Sequence, residues 1–210
     1  MYAEPTKIIC VGRNYLLHAR ELNNDVPEEP IFFLKPPSSA IRNGQSIVLP
    51  RGAGRVDFEA ELGVVISDRA VRIPKAEAFD HVLGYVVCND VTAREMQDRA
   101  KRSGQPWTVC KGYDTFFPMS EMKPAREVSD PGQLDIELRL NGEQRQRGNT
   151  RDMIFPIERL ISDISQVMTL ERGDIIATGT PSGVGQLHPG DKVVISIGSV
   201  GTLSSNVTGS

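Results

Sequence analysis

The sequence has 210 residues, a formal net charge of −3, 39% hydrophobic residues and 24% charged residues. A chain of this length can bury a core without disulfides, and the composition excludes disordered and collagen-like proteins. The 24 basic residues nearly balance the 27 acidic ones and form no long run. We therefore expect no nucleic-acid or anionic-membrane partner and predict a small-molecule function.

The cysteines and the N-terminal sequence predict a reduced, cytoplasmic protein. Cys10, Cys88 and Cys110 are too few and too scattered for a disulfide or zinc framework. The segment from Met1 to Lys7 lacks the basic-then-apolar order of a signal peptide, and the longest apolar stretches fall far short of the roughly 20 residues of a membrane-spanning helix. Because no linker, repeat or low-complexity segment occurs, we predict one domain over residues 1–210.

The first predicted elements are a strand, a short helix and two further strands. Lys7 to Val11 is expected to form a buried strand, and Gly12-Arg13-Asn14 leads from it into a helix from Tyr15 to Leu22. Short strands follow from Ile31 to Leu34 and from Ser46 to Leu49. Each of these is stopped by proline.

His18 and Glu21 lie three positions apart on this helix, where their side chains are neighbours. A glutamate beside a histidine can orient the imidazole and make it a general base. The alternative is an ordinary pair on an exposed helix face. The helix is short and ends at Asn23-Asn24-Asp25, so it could also move as a lid over a site.

A strand from Val56 to Ile66 is predicted from the alternation of apolar and polar residues. Asp57, Glu59 and Glu61 lie on its polar face. The Cα atoms of Glu59 and Glu61 would be roughly 6.5–7 Å apart, so their long side chains can converge on one ion. The alternative is a solvated acidic face.

Asp90 follows a predicted buried strand from Val82 to Asn89, at the carboxyl end of the strand, where functional sites are commonly assembled. With the two glutamates it would supply three carboxylates, which suit a hard divalent cation such as Mg²⁺. Thr92-x-x-Glu95 is predicted to be a capping box that opens a helix to about Lys101. Alternatively, Asp90 caps that helix and pairs with Arg94.

Two later features could contact a substrate. Lys111 follows apolar residues and could hold a substrate carboxylate or enolate oxygen, or simply extend to solvent. The Gly-rich segment from Gly179 to Gly185, which contains Thr180, lacks the Gly-Lys-Ser/Thr of a phosphate loop. It could offer backbone N–H groups to a small carboxylate, or be a tight hairpin turn.

The second half of the sequence is again mainly β. Leu134 to Leu140 alternates, and the Asn141-Gly142 turn predicts a hairpin that returns to Arg147. A helix is expected from Pro156 to about Met168, followed by strands at 174–178, 192–197 and 201–207. About ten strands and about three helices, not alternating along the chain, indicate a mostly β, α+β fold whose sheets could be open, rolled or sandwiched.

A series of motifs occurs in a fixed order along the chain. They are Val11-Gly12-Arg13-Asn14-Tyr15 with His18-x-x-Glu21, Phe33-Leu34-Lys35-Pro36, Glu59-x-Glu61-Leu62, Asn89-Asp90-Val91-Thr92-x-Arg94, Gln97-Asp98, Pro106-Trp107-Thr108-x-x-Lys111, and Gly173-Asp174-x-x-x-Thr178-Gly179-Thr180-Pro181-x-Gly183-Val184-Gly185. With this set the sequence resembles the fumarylacetoacetate hydrolase family, specifically its small bacterial and mitochondrial acylpyruvase members.

The resemblance implies a mixed β-sandwich roll of the family's C-terminal-domain type, usually assembled as a homodimer. It further implies a bound Mg²⁺ or Mn²⁺ and a helix that acts as a mobile lid. The implied residues are Glu59, Glu61 and Asp90 for the metal, His18 and Glu21 for water activation, Lys111 for substrate support, and Arg94, Gln97 and Thr180 for substrate contact or the pocket wall.

Hydrolysis of an acylpyruvate, such as fumarylpyruvate or acetylpyruvate, to pyruvate and a carboxylic acid is the reaction that these residues favour. The cation would act as a Lewis acid at the α-keto acid, and His18 would deprotonate the attacking water. The same site could instead decarboxylate oxaloacetate or interconvert keto and enol forms, including isomerase reactions of aromatic-acid breakdown. A non-catalytic metal-binding module is the remaining alternative.

Overall fold

Strands form most of the regular structure in the computed structural model, which describes residues 5–22 and 25–210. The α-helices in the described ranges are α1 (Leu16–Glu21), α2 (Arg94–Arg102), α3 (Thr108–Lys111) and α4 (Ile157–Val167). The strands are β1 (Ile8–Gly12), β2 (Ile31–Lys35), β3 (Ala40–Arg42), β4 (Ile47–Leu49), β5 (Val56–Phe58), β6 (Ala60–Ile66), β7 (Val82–Asn89), β8 (Thr92–Ala93), β9 (Phe117–Met119), β10 (Lys123–Pro124), β11 (Asp135–Leu140), β12 (Glu143–Asn149), β13 (Ile175–Ala177), β14 (Gly185–Gln186), β15 (Lys192–Ile197) and β16 (Gly201–Gly209). The predicted mostly β, α+β class is therefore confirmed.

Three sheets account for these strands. The largest has the order β2-β1-β13-β6-β7-β9-β3, with β10 also paired to β7; the second has the order β12-β11-β15-β16-β4, and the smallest β14-β5-β8. Most pairs are antiparallel, whereas β1 with β13, β16 with β4, and β3 with β9 are parallel. Strands β11, β15 and β16 contact β6 and β7 across the core. The two larger sheets thus stack as a mixed sandwich.

The buried core lies between these sheets. Its residues alternate along the strands, as in β11, where Ile136, Leu138 and Leu140 are buried and Asp135 and Arg139 are exposed. The predicted hairpin at Asn141-Gly142 is confirmed, because β11 and β12 pair directly across it. Helix α4 begins after Pro156, as predicted.

The predicted strand from Val56 to Ile66 is wrong in one respect, because it breaks at Glu59. The backbone N–H of Glu59 donates to Oδ1 of Asn89 at 2.8 Å, and the N–H of Ala60 donates to Oε1 of Gln146 at 3.0 Å. Side chains thus satisfy the backbone here instead of a continuous ladder. The break sends β5 and β6 into different sheets, with Glu59 at the junction.

The predicted capping box at Thr92-x-x-Glu95 is also wrong. Thr92 and Ala93 form β8, which pairs with β5, and α2 begins only at Arg94. The Thr92 hydroxyl donates to the carbonyl oxygen of Asp90 at 2.9 Å rather than accepting from the helix. Tertiary strand pairing therefore overrides the local capping preference.

The helix predicted from Tyr15 to Leu22 is present as α1. Asn23 and Asn24, which were expected to end it, lie outside the described residues, as do residues 1–4. No helix in the described ranges is long and apolar enough to cross a membrane.

Candidate active site

Glu59, Glu61 and Asp90 converge in the interior of the protein. Glu59 lies at the junction of β5 and β6, Glu61 is in β6, and Asp90 follows β7, the strand that pairs with β6. One carboxylate oxygen from each of the three lies within 4.8 Å of the other two, and the residues are 5%, 1% and 1% exposed. The alternative of a solvated acidic face is therefore wrong.

Two buried lysines contact these carboxylates. The Lys111 ammonium donates to Glu59 Oε2 at 3.0 Å and to Asp90 Oδ2 at 2.5 Å. Lys35, which the sequence analysis assigned no role, donates to Asp90 Oδ1 at 2.7 Å. Lys111 is 1% exposed, so the alternative that it extends to solvent is wrong. The signal for Lys35 was a lysine that ends an apolar strand immediately before proline.

Arg94 forms a second set of contacts on the other side of Glu59. Its Nε donates to Asp57 Oδ2 at 2.9 Å, its Nη1 to Gln97 Oε1 at 2.6 Å, and its Nη2 to Glu59. The proposed pairing of Asp90 with Arg94 is wrong, because Asp90 pairs with the two lysines instead. Asp57 was visible on the acidic strand face but was not recognised as the residue that holds Arg94.

The protein environment shifts the pKa values of the two glutamates in opposite directions. Burial would raise the pKa of Glu59, but the charges of Lys111 and Arg94 outweigh burial and hold that pKa well below its usual range. Burial raises the pKa of Glu61 well above its usual value, and the negative charges of Asp90 and Glu59 raise it further. Within the described residues Glu61 has no ion pair, so it is the least compensated carboxylate of the cluster.

A divalent cation fits this cluster. At this site four buried carboxylates, those of Asp57, Glu59, Glu61 and Asp90, accompany only three buried cations, those of Lys35, Arg94 and Lys111. The donors are all oxygens, which hard cations such as Mg²⁺ and Mn²⁺ prefer. A carboxylate retains lone pairs for a metal after it accepts a hydrogen bond from lysine.

The Gly-rich segment orients Glu61. The N–H of Gly179 donates to Glu61 Oε2 at 2.7 Å, so this backbone group binds a carboxylate of the protein itself. The Thr180 hydroxyl accepts from Gln146 Nε2 at 2.8 Å, which links it to the side chain that breaks the strand at Glu59. The tight-hairpin alternative is wrong, because the flanking strands β13 and β14 belong to different sheets.

Helix α1 brings His18 to the same site. His18 is 5% exposed, and its Nδ1 lies 3.5 Å from Glu21 Oε2, a contact longer than a good hydrogen bond. The Glu21 carboxylate accepts from the N–H of Gly183 at 3.1 Å. Partial burial opposes ionisation of Glu21, but the nearby His18 ring and the hydrogen bond from Gly183 outweigh it and lower the pKa of Glu21. The alternative of an exposed helix pair is wrong for His18.

A cavity of about 20 Å³ unites these groups. This volume is sufficient for one water molecule or ion, and the cavity opens to solvent, so that its empty space including the opening is about 370 Å³. Most of the residues predicted for the site line it, including His18, the three acidic residues, Lys111, Arg94, Gln97 and Thr180. Glu21 and Gly179 do not line the cavity, but each contacts a residue that does, His18 and Glu61 respectively. The wall also contains Val11, Gly12, Arg13, Leu22, Phe33, Lys101 and Trp107.

Comparison with known proteins gives the family of the chain. Residues 7–208 match the family described as "Fumarylacetoacetate (FAA) hydrolase C-terminal". The chain belongs to the fumarylacetoacetate hydrolase family. The predicted resemblance is therefore confirmed over nearly the whole sequence.

Relatives in this family are named for several reactions. The chain is 50% identical over 197 residues to the mitochondrial oxaloacetate tautomerase FAHD1 of Arabidopsis thaliana. The aligned region covers 94% of this chain and 88% of that protein. A crystal structure of fumarylpyruvate hydrolase from Pseudomonas aeruginosa in complex with Mn²⁺ and pyruvate matches with a TM-score of 0.95 and 34% identity, over 98% of this chain and 91% of that chain. A 5-carboxymethyl-2-hydroxymuconate delta-isomerase from Mycobacterium smegmatis matches with a TM-score of 0.88 and 40% identity, over 99% and 80% respectively.

These matches confirm the fold of the fumarylacetoacetate hydrolase C-terminal domain. They also indicate that a protein with this arrangement acts on a small molecule, as the family's hydrolases, isomerases and tautomerases do. Among the named reactions, the acidic cluster and His18 are compatible with each.

Proposed function

We propose that this protein is a divalent-metal-dependent enzyme that interconverts the keto and enol forms of a 2-oxo acid of the oxaloacetate type. The observation that carries the proposal is the buried cluster of Glu59, Glu61 and Asp90 within the same small cavity as His18. Such a site combines an electrophilic centre with a group that can move a proton.

The metal would be held by Glu59, Glu61 and Asp90. When bound, Mg²⁺ or Mn²⁺ would act as a Lewis acid that stabilises negative charge on the oxygen of the keto group. Mn²⁺ accompanies the related fumarylpyruvate hydrolase. The oxygen donors of this cluster suit Mg²⁺ equally well.

His18 is the proposed proton carrier. Its Nδ1 faces Glu21, which leaves Nε2 to remove a proton from the carbon beside the keto group and to return one. The Glu21 carboxylate, held by the N–H of Gly183, would fix the direction of the ring and stabilise its protonated form. Because His18 is buried, bulk water would have little access to the transferred proton.

Arg94, Gln97, Thr180 and Lys111 would orient the substrate. Gln97 accepts a hydrogen bond from Arg94 through Oε1. The N–H groups of its Nε2 therefore stay available to a substrate oxygen. Lys111 carries a positive charge that burial opposes but the carboxylates of Asp90 and Glu59 stabilise, and its pKa is raised. Each group thus offers a donor where a keto acid presents acceptors.

Similarity to known proteins favours tautomerisation over the hydrolysis that the sequence analysis preferred. The identity is 50% to an oxaloacetate tautomerase and 34% to a fumarylpyruvate hydrolase. The pair of His18 and Glu21 does not separate the two reactions, since tautomerisation also requires a proton carrier. Acylpyruvate hydrolysis therefore stays as the second candidate, supported by the same pair and by the close structural match to that hydrolase.

A substrate panel tests the proposal. Purified protein would be assayed with oxaloacetate for loss of enol absorbance, and with fumarylpyruvate and acetylpyruvate for release of pyruvate, in Mg²⁺, in Mn²⁺ and after chelation. The Glu59→Gln variant serves as the control for catalysis by free metal. We expect metal-dependent acceleration of the oxaloacetate reaction that Glu59→Gln abolishes. Pyruvate release from acylpyruvates without any effect on oxaloacetate would favour the second candidate instead.

Three further features stay predictions. These are the homodimer, the cytoplasmic location and the single domain over residues 1–210. Size measurement in solution tests the first, since an unmodified monomer of this chain has a mass of 23.1 kDa.

A further inference from the structure

Arg13 is held in an uncommon conformation at the wall of the cavity. Its φ is +59°, a left-handed value that residues with a side chain rarely adopt. Its Nε is buried without a hydrogen-bond partner, and no ion pair joins its guanidinium to any other described residue. Backbone strain and an unpartnered cation at one residue of a cavity wall are typical of a ligand-binding position.

Lys101 is a second weakly paired cation in the same wall. Its one ion pair within the described ranges is with Asp98 at 4.0 Å, the limit of such a contact. Its Nζ lies 5.7 Å from the centre of the Trp107 ring, and its side chain is 20% exposed. Burial lowers the pKa of Lys101, and the positive charges of Arg94 and Arg13 lower it further, whereas Asp98 raises it.

Trp107 brings Arg13 and Lys101 to the same part of the cavity. A methyl group on Gly12, the residue before Arg13, would lie 3.1 Å from Cζ3 of Trp107, so the Gly12-Arg13 turn packs against the indole ring. Lys101 lies over the same ring. Lys101 and the Gly12-Arg13 turn therefore border one indole, and Arg13 and Lys101 line the same cavity as the carboxylate cluster.

The charge of the complete site leaves Arg13 without a counter-ion and Lys101 with only its contact to Asp98 at 4.0 Å. The metal cluster contains four buried carboxylates and three buried cations, and a divalent cation would make that cluster net positive by one. Arg13 and Lys101 add two further positive charges, of which only that of Lys101 faces a carboxylate, the 48% exposed Asp98 at 4.0 Å. A 2-oxo monocarboxylate would neutralise only one of the three, whereas a dicarboxylate would neutralise two.

We propose that Arg13 and Lys101 together bind the carboxylate at the far end of a 2-oxo dicarboxylate and thereby determine which keto acids this protein accepts. The inference rests on the proposed function, because it assumes that the keto-acid end binds at the acidic cluster. The two side chains donate charge-assisted hydrogen bonds to one carboxylate, and an analogue without that carboxylate leaves Arg13 unpaired and Lys101 with only its 4.0 Å contact to Asp98.

Calorimetric binding in Mg²⁺ tests this inference with a matched pair of ligands. Oxaloacetate carries the second carboxylate, and 2-oxobutyrate has a methyl group in its place. The variants are Lys101→Met, which keeps the aliphatic stem on Trp107, Arg13→Gln, and Arg13→Lys, which keeps the charge. Arg102→Gln is the control, because it removes a cation from an exposed neighbouring position on the same helix.

We expect the wild-type protein to bind oxaloacetate at least about 10-fold more tightly than 2-oxobutyrate, a difference of about 1.4 kcal/mol. Lys101→Met and Arg13→Gln are expected to reduce this preference to about threefold or less without weakening 2-oxobutyrate, while Arg13→Lys and Arg102→Gln retain it. Mg²⁺ binding without keto acid should be equal in all five proteins.

The outcomes separate the two proposals. If the wild-type protein binds neither keto acid in the presence of Mg²⁺, the proposed function is wrong. If it binds both with equal affinity, or if the variants weaken both ligands equally, the assignment of Arg13 and Lys101 is overturned while the proposed function stands. Loss of Mg²⁺ binding in Lys101→Met would likewise overturn it, because it would make the lysine part of the metal cluster.

Discussion

The backbone N–H of Gly179 donates to Glu61 at 2.7 Å, and this glycine has a φ of +99°. A Cβ atom here would lie 2.7 Å from Cβ of Asn14. Asn14 is itself fixed, because its side chain bonds to the backbone of Phe155 and Thr178. Gly179 therefore connects the β1–α1 turn to the least compensated carboxylate of the cluster.

We expect Gly179→Ala to weaken metal binding as well as stability. An alanine in this left-handed conformation costs at least about 1 kcal/mol, and its methyl group would also clash with Asn14. Relief of the clash would displace the N–H from Glu61. Chemical denaturation and Mg²⁺ titration measure the two effects. Gly190→Ala is the matched control, because its φ is +96° and nothing lies within 4 Å of the added Cβ. Equal metal affinity in the two variants would contradict this role of Gly179.

Metal binding should compete with protonation of Glu61. The pKa of this carboxyl is raised in the folded metal-free protein from the ordinary value of 4.5, so its protonated form stabilises the fold below about pH 4.5 and this contribution is lost as pH rises toward the raised value. The metal displaces that proton. We therefore expect the increase in Tm caused by Mg²⁺ to grow as pH rises above about 4.5. Thermal unfolding with and without Mg²⁺ over a pH series measures it.

The control for this pH dependence is Glu61→Gln. The amide cannot ionise, so the variant should bind Mg²⁺ weakly and show little change in its Mg²⁺ effect with pH. An increase in wild-type Tm that is the same at every pH would exclude competition at Glu61.

Lys111→Met should destabilise the metal-free protein strongly. The substitution removes the ammonium that bridges Glu59 and Asp90 and leaves buried carboxylates uncompensated, which typically costs about 3–5 kcal/mol. Mg²⁺ should restore part of this loss. Urea denaturation measures both quantities. Lys123→Met is the comparison, because its partner Glu127 is a surface residue and solvent screens such a pair, so we expect little loss of stability.

His18→Gln should separate catalysis from metal binding. We expect kcat for the enol form of oxaloacetate to fall about 10²–10⁴-fold, the usual contribution of a general acid–base group. Mg²⁺ affinity should be nearly unchanged, since the proposed ligands are the three carboxylates and not His18. Glu21→Gln should have a smaller effect, because Glu21 acts through His18. A His18→Gln enzyme with wild-type kcat would show that another group moves the proton.

The local sequence was sufficient to find the acidic residues but not their environment. Alternation along 56–66 predicted that Glu59 and Glu61 share a face, and a strand end predicted the position of Asp90. The break at Glu59 could not be predicted, because distant side chains cause it. Asn89 lies 30 residues after Glu59, and Gln146 lies 86 residues after Ala60. Non-local backbone pairing explains why the predicted capping box fails, since Thr92 pairs with β5.

The cationic partners were harder to predict for the same reason. Nothing near Lys35 in the sequence indicates a carboxylate, and its partner Asp90 lies 55 residues later. Periodicity gives the face of a strand but not its neighbours, and so the stacking of the sheets followed only from the family resemblance. Arg13 was visible within a motif, but its backbone conformation and unpartnered Nε were not.

The break at Glu59 has a mechanical consequence. Glu59 ends the small sheet containing β5, whereas Glu61 and the strand before Asp90 belong to the large sheet. An ion bound by all three residues would therefore link two sheets that are not hydrogen-bonded to each other as one continuous ladder. Amide hydrogen exchange would then slow in both sheets when the ion binds, so metal binding would reduce local unfolding well beyond the ligand atoms.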